Sequence, residues 1–323
     1  MSRMQFGDDA ISSTAAYYKG ELERFDPKIY EPIAQFTWSR DMPLRTDVTI
    51  ADEITSFATS LYAGGVSGTG HGTKAWASQK GGTIPKIEVG FEKQIRKVTP
   101  WAMEVSYSVI DLAKAMQAGR PLDQTKLEAM RKKHQLDIDE MVYIGDKETG
   151  STGMLNDSAV EKSDLGEFDP STASADDFLD MINTVLNASY KNTEFTMVPD
   201  TILLPPDLMA FLSKPMVVGN TPLSITVAEW VRDKSLTYTV TGRPLTMNPC
   251  KWLRLEGGFG FDKGRIVAYT KDKDLIRFPL VEMQNTPVQF RGLDQSTVYY
   301  AALGEVEIVR PETVFYGDLS SSE

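Results

Sequence analysis

The sequence predicts an α+β fold with a segment that cannot bury itself alone, and three observations lead to this prediction. A helix-like periodicity runs through residues 122–144. Two strand-like segments flank a glycine-rich stretch within residues 46–100. Short strand-like runs, separated by Gly and Pro, follow from residue 236 onward. Helices and strands are thus both present in long and short forms, as in an α+β chain.

Residues 1–45 are predicted to form an extended arm. Their aromatic side chains occur mostly singly, as at Phe6 and Phe25, and three prolines interrupt any helix. Such an arm either leans its aromatic residues on another surface or is the loose leader of an ordinary domain. The residues alone leave both interpretations open.

Residues 46–100 are predicted to form a projecting two-stranded ribbon. In its second strand Ile87, Val89 and Phe91 alternate with charged residues and therefore share one face. The glycine-rich stretch Gly64–Gly82 is expected to be a flexible tip, and it lacks the spacing of a phosphate-binding loop. Because an isolated ribbon is marginally stable in water, a long one implies a partner surface.

The clearest helix is predicted over residues 122–144. Thr125 and Glu128 fit a capping box, and Gly145 fits the residue that ends a helix. At 1.5 Å per residue the helix would be about 35 Å long. Its apolar face is predicted to consist of Leu127, Met130, His134, Ile138, Met141 and Val142.

Two polar features of this helix are predicted to be structural. His134 lies on the apolar face and is expected to be a hydrogen-bonded core residue. Residues 137–140, Asp-Ile-Asp-Glu, are expected to form a solvated surface, because sequence neighbours on a helix do not face one another. The spacing of a calcium-binding EF-hand loop is absent from them.

The rest of the chain is predicted to mix shorter elements. Ser174 is the expected N-cap of a helix over residues 175–191. A buried strand over 201–204, a short helix over 207–212 and a helix over 224–234 follow. The later predicted strands are Tyr238–Val240, Ile266–Tyr269, Leu275–Phe278, Val298–Ala302 and Val306–Val309.

The composition disfavours several functional classes. The chain has 34 basic and 45 acidic residues, a formal net charge of −11, which disfavours sequence-specific binding to duplex DNA. One Cys and two His supply neither a disulfide nor a typical zinc site, so no metal and no cofactor are expected. We expect no export signal in residues 1–9 and no membrane span.

The sequence does not assemble a catalytic site. Ser67 lacks the spacing of a nucleophile elbow, and His71 and His134 are the only imidazoles available as a base. Cys250 has no neighbouring His and is expected to be a packing residue. We therefore predict a protein that is not an enzyme.

The segment Met141–Asn156, MVYIGDKETGSTGMLN, carries a resemblance to a known family. A long helix that ends in Gly-Asp and is followed by a glycine-rich turn resembles the major capsid proteins of tailed bacteriophages, which have the Hong Kong 97-type fold. The ending Val309–Asp318 also resembles the last strand of a subgroup of these proteins. The order of the elements agrees along nearly the whole chain.

The resemblance implies a division of the chain into parts. These parts are an N-terminal arm over residues 1–45, an extended loop over 46–100, a peripheral domain over 101–198 with a spine helix over 122–144, an axial domain over 199–287, and a return to the peripheral domain over 288–323. Cross-linking between a Lys and an Asn, known in some relatives, is not carried over, because no motif identifies the pair.

The resemblance further implies a structural subunit that self-assembles as pentamers and hexamers into an icosahedral shell around double-stranded DNA. Assembly is expected in the cytoplasm of the host bacterium and the final location in the virion. Separate scaffolding, portal and decoration proteins are possible partners under this interpretation. The residues expected to contact neighbouring subunits are Lys74, Lys80, Lys86, Lys93, Arg96 and Lys97.

Two alternatives stay open at the level of the sequence. An encapsulin-like compartment shell shares the fold and encloses protein cargo instead of DNA. A soluble α+β enzyme would be a monomer or a small oligomer with a pocket of convergent polar groups.

Overall fold

The computed structural model describes residues 35–65, 86–117, 122–218, 221–255 and 263–320. Most of the predicted arm and most of the glycine-rich tip, including Lys74 and Lys80, lie outside these residues.

The described residues form seven α-helices and two short 3₁₀ helices. The α-helices are α1 (Trp38–Asp41), α2 (Val109–Gln117), α3 (Leu122–Tyr143), α4 (Ala175–Asn192), α5 (Met209–Leu212), α6 (Val227–Lys234) and α7 (Leu236–Thr241). The 3₁₀ helices cover Pro206–Leu208 and Pro311–Thr313.

The same residues form fourteen strands. They are β1 (Leu44–Arg45), β2 (Ile54–Gly65), β3 (Lys86–Ser108), β4 (Glu161–Glu167), β5 (Thr201–Leu204), β6 (Pro215–Val218), β7 (Thr221–Thr226), β8 (Thr246–Pro249), β9 (Gly264–Tyr269), β10 (Ile276–Asn285), β11 (Gln289–Arg291), β12 (Asp294–Gly304), β13 (Glu307–Ile308) and β14 (Val314–Ser320).

These strands build two large sheets and one small one. The first sheet has the order β1-β10-β12-β3-β2, with β11 paired to β12 and β13 paired to β10. The second has the order β4-β14-β9-β5-β8, in which β14 runs parallel to β4 and antiparallel to β9. Strands β6 and β7 form a separate antiparallel pair.

Strand β3 joins the predicted ribbon to the body of the protein. Its first part pairs antiparallel with β2, from the residue pair Ile54–Lys97 to the pair Gly65–Lys86. The next eleven residues pair with β12 in the first sheet. At about 3.3 Å per residue, this 23-residue strand extends about 75 Å. The predicted pair of long strands is confirmed, and its base is part of a larger sheet.

Helix α3 matches its prediction to within one residue. Its predicted apolar face is buried except for the half-buried Leu127, and Met130, Ile138 and Val142 are at most 2 % exposed. Gly145 follows the helix with φ +77°, and a Cβ at this position would lie 2.3 Å from the carbonyl oxygen of Ser151. The left-handed backbone and this close approach together require glycine.

Two hydrophobic cores lie on opposite faces of the second sheet. Along β9, Val267 and Tyr269 belong to the core that includes α3, whereas Ile266 and Ala268 belong to the core that includes α4. This separation follows from the two-residue period of a strand. Because both faces are covered, residues 266–269 of this strand form an uninterrupted apolar run, as the sequence predicts.

The helix predicted over residues 224–234 is confirmed from Val227 onward, whereas one predicted strand is wrong in type. Residues 224–226 end strand β7 rather than begin a helix, because Thr226 and Glu229 form a capping box that starts α6 at Val227. Tyr238–Val240 is part of helix α7 rather than a strand, because Ser235 caps its N-terminus and Gly242 ends it with φ +69°. Local capping outweighs the strand preference of Tyr, Thr and Val here.

Candidate functional site

Two of the candidate catalytic residues, Cys250 and His134, lie within the described part of the chain, and both are buried. Burial raises the pKa of the Cys250 thiol to about 12, which agrees with the predicted packing role. His134 is 5 % exposed, and its ring centroid lies 4.5 Å from that of Trp101. Burial lowers its pKa, and its Nε2 atom has no hydrogen-bond partner among the described residues, so the expected hydrogen bond is absent at that atom.

Metal binding and membrane spanning also find no support in the described part of the chain. No three His, Cys, Asp or Glu side chains gather there into a group that could hold a metal ion. None of the helices described combines the length and the apolar character that crossing a bilayer requires.

The carboxylate of Asp139 holds the first described segment against helix α3. Its Oδ1 accepts the backbone N–H groups of Thr37 at 2.7 Å and Trp38 at 3.1 Å. Its Oδ2 accepts Trp252 Nε1 at 2.8 Å and pairs with Lys251 Nζ at 2.8 Å. The prediction of a solvated surface is therefore wrong for Asp139, which is 0 % exposed, because its partners are distant in the sequence.

A second buried carboxylate extends this anchor. Asp41 accepts the Tyr143 hydroxyl on Oδ2 and Asn248 Nδ2 at 2.9 Å on Oδ1. Arg40 forms an ion pair with Asp41 at 2.7 Å, and Tyr269 donates to its backbone carbonyl at 2.9 Å. Helix α1 is therefore tied to α3, β8 and β9.

The base of the ribbon is joined to the glycine-rich turn after α3 by Arg96. The guanidinium pairs with Asp157 at 2.9 Å and with Glu305 at 3.0 Å. Glu305 also accepts the backbone N–H and the hydroxyl of Thr152, at 3.0 and 2.8 Å. Hydrogen bonds to ionised groups of this kind are stronger than neutral ones. The network therefore fixes the direction in which β2 and β3 leave the sheet.

A similar network fixes the edge of the first sheet. Glu307 is 0 % exposed and lies between two arginines, with Arg45 at 2.8 Å and Arg277 at 2.6 Å. Arg45 also pairs with Asp47 at 2.7 Å, and this ion pair lowers the pKa of the Asp47 carboxyl. Strand β1 is thereby held at its position beside β10.

One face of the ribbon is apolar and uncovered. Phe91 is 76 % exposed, Ile95 56 %, Ile54 54 % and Val89 44 %. The alternation of β3 and the pairing of Ile54 with Lys97 place all four on the same side. We call these four residues the apolar ribbon face. On the opposite side Phe57 is buried against the chain's own body.

The five lysines and one arginine predicted to contact neighbours have different surroundings. Lys74 and Lys80 lie outside the described residues, and for Lys86 only the backbone pairing is described. Lys93 is exposed on the side of the apolar ribbon face. Arg96 is engaged within the chain, and Lys97 donates to the Thr149 carbonyl at 3.2 Å. A role in contacts between subunits stays a prediction for all of these positions.

The structure also shows functional residues that the sequence analysis missed. Asp139, Asp157, Glu305 and Glu307 look like surface carboxylates in the sequence, yet each holds elements together. Their partners lie 56 or more residues away in most cases, as with Arg96 and Glu305, which are 209 residues apart. A local pattern carries no signal for such pairs.

A long ribbon with an exposed apolar face is typical of a protein that works through contacts with other chains. Comparison with known proteins supports a role of this kind. The family model described as "Major capsid protein" matches residues 72–319, and the chain belongs to this family. The resemblance found in the sequence is confirmed, and the alternative of a soluble enzyme loses its support.

Solved structures share the fold at low sequence identity. The capsid of Myoviridae phage XM1 is 17 % identical, with a TM-score of 0.74 over 93 % of this chain and 97 % of that chain. Mycobacterium phage Bobi is 11 % identical, with a TM-score of 0.57 over 99 % of this chain and 100 % of that chain. Gordonia phage Cozz is 10 % identical, with a TM-score of 0.56 over 100 % and 98 %. No curated protein sequence matches.

Family membership settles the general role of the chain. It is a capsid subunit, its copies assemble into a shell, and its location is the virion.

Proposed function

We propose that the chain is a tailed-phage capsid subunit of the Hong Kong 97 type, in which the β2–β3 ribbon of each copy lies on a neighbouring copy. Pentamers and hexamers of the chain would close an icosahedral shell around double-stranded DNA, assembled in the host cytoplasm. In this proposal residues 46–100 are the extended loop, 101–198 with 288–323 the peripheral domain, and 199–287 the axial domain.

The observation that carries the proposal is the apolar ribbon face. Burying exposed Phe, Ile and Val side chains contributes about 1.5–3 kcal/mol for each complete burial. With the exposures of Phe91, Ile95, Ile54 and Val89, covering this face would contribute about 3–6 kcal/mol per ribbon. Repeated in every subunit, a contact of this size would add to the other weak heterologous contacts that hold a shell together.

The charge of the chain supports the enclosure of DNA. A formal net charge of −11 gives a subunit that does not bind phosphates along its length. A shell of such subunits would let a genome enter and leave, with portal, scaffolding and decoration functions supplied by separate proteins. An encapsulin-like shell would hold protein cargo instead, so the nucleic-acid content of shells isolated from infected cells distinguishes the two.

Removing the apolar ribbon face tests the proposal. We expect the purified wild-type chain to form shells, tubes or capsomers in negative-stain microscopy, and the double variant Phe91→Ser/Ile95→Ser to stay unassembled. Gln94→Ser is the matched control, because Gln94 lies between these two residues and points to the other side. Assembly of the double variant at wild-type yield would contradict the proposal, as would a wild-type chain that is only a monodisperse monomer.

A further inference from the structure

Lys93 lies on the side of the apolar ribbon face, and its side chain has no partner among the described residues. Lys93 lies between Phe91 and Ile95 on the same side of β3, about 6.6 Å from each along the strand. Lys93 is exposed, and it makes no hydrogen bond or ion pair with any described residue. The surface that fits it must therefore offer an apolar floor and one carboxylate.

A recess of this character lies where helix α3 meets the first sheet. It has a volume of about 240 Å³, and its floor is formed by Trp101, Met141 and Leu303. Trp101 is held in place because its Nε1 donates to Asp137 Oδ2 at 2.9 Å and its ring packs on His134. The floor is thus a fixed aromatic and aliphatic surface, and an aromatic face of this kind also attracts a cation.

Of the three carboxylates at the rim of the recess, one has no partner in the part of the chain that the structure describes. Asp137 already pairs with Lys133 and Trp101, and Asp146 accepts the backbone N–H groups of the turn that follows α3. Glu140 is exposed, and its carboxylate has no partner among the described residues. The recess therefore offers one unused negative charge beside an apolar floor.

Lys93 cannot reach the recess of its own copy. Trp101 lies eight residues further along the same strand, which is about 26 Å away. This distance is much greater than the length of a lysine side chain. Any pairing between Lys93 and this recess must therefore join two copies of the chain.

We infer that Lys93 of one copy enters the Trp101 recess of a neighbouring copy and pairs with Glu140 there, while Phe91 and Ile95 pack on either side. This inference rests on the proposed function, in which the ribbon lies on a neighbour. It adds the place where the ribbon is seated and the charge pair that sets its register. Such a pair gives specificity to an apolar contact that could otherwise slide.

A charge exchange tests the pair. We expect Lys93→Glu and Glu140→Lys to raise the critical concentration for assembly about tenfold each, because each places like charges together. The double variant Lys93→Glu/Glu140→Lys restores the opposite charges, and its critical concentration should return to within about twofold of wild type. Both positions are exposed, so the variants should fold, and circular dichroism of the unassembled chains checks this.

The control uses another exposed glutamate on the same helix. Glu128 lies outside the recess, so Glu128→Lys should not rescue Lys93→Glu. The inference is overturned if both single variants assemble like wild type, or if Glu128→Lys rescues as well as Glu140→Lys does. Either of these results leaves the proposed function intact as long as Phe91→Ser/Ile95→Ser blocks assembly. If that double variant assembles normally, the proposed function itself is wrong, and the inference about Lys93 falls with it.

Discussion

Replacing Asp139 with Asn should release residues 35–41, the first described segment, from helix α3. The carboxylate is 0 % exposed and accepts two backbone N–H groups, one indole N–H and one lysine ammonium. An Asn side chain keeps the shape but offers only one acceptor oxygen, so its amide group must face either the backbone donors or Trp252 and Lys251. At least two hydrogen bonds to a charged acceptor are lost, at about 1.5–3 kcal/mol each.

The expected loss is therefore about 3–5 kcal/mol, in line with the removal of one partner from a buried charge pair. If the whole loss acts on a local opening of residues 35–41, the fraction of molecules with this segment detached rises by two orders of magnitude or more. Trypsin cleavage after Arg40 measures that population, and tryptophan fluorescence in a urea titration measures the free energy of unfolding.

The matched control is Asp137→Asn. Asp137 lies two residues earlier on the same helix, but its side chain is 21 % exposed and can exchange its partners for water. It should lower the free energy of unfolding by about 1 kcal/mol or less. If Asp139→Asn unfolds within about 0.5 kcal/mol of wild type and Arg40 stays protected from trypsin, the anchor described for Asp139 is wrong.

Three further predictions follow from single positions. Gly145→Ala should prevent stable folding, because its Cβ would lie 2.3 Å from a carbonyl oxygen. Gly150→Ala, also at positive φ but in open space, should lower the free energy of unfolding by only about 1–2 kcal/mol. Thermal unfolding of the two variants measures the difference. Glu307→Gln should lower the free energy of unfolding by about 3–5 kcal/mol in urea, because it removes the buried carboxylate that Arg45 and Arg277 share. Glu312→Gln, whose partner Arg310 is exposed, should have little effect. Because burial raises the pKa of Cys250 to about 12, iodoacetamide at pH 8 should leave the folded chain unmodified and alkylate it only in urea, as mass spectrometry would show.

Elements with strong local signals were predictable from the sequence. Helix α3, helix α4 with its Ser174 cap and the strands of the ribbon appear within a few residues of their predicted bounds. Their periodicity and capping act over four residues or fewer, so a single sequence contains the information. The helix at residues 236–241 was missed because its Tyr, Thr and Val favour strands, and only its caps indicated a helix.

The charged networks were not predictable in the same way. The pattern Asp137-Ile138-Asp139-Glu140 is that of a solvated helix, and nothing in it distinguishes the buried Asp139 from its exposed neighbour Glu140. The difference arises because residues 37 and 38 reach the helix from about 100 positions earlier. Burial of a charge is decided by such distant partners, since an isolated charge is not tolerated in a core.

The ribbon shows the opposite relation between pattern and structure. In the sequence, Val89, Phe91 and Ile95 form an alternating pattern of the kind that places one face of a strand against a core. Within the described residues that face packs against no core, and Phe91 is 76 % exposed. Under the proposed function, a second copy supplies the other side of this surface, which would explain a core-like pattern on an exposed strand. The ribbon would then complete its folding only on assembly, and Lys93 would select one register over the others.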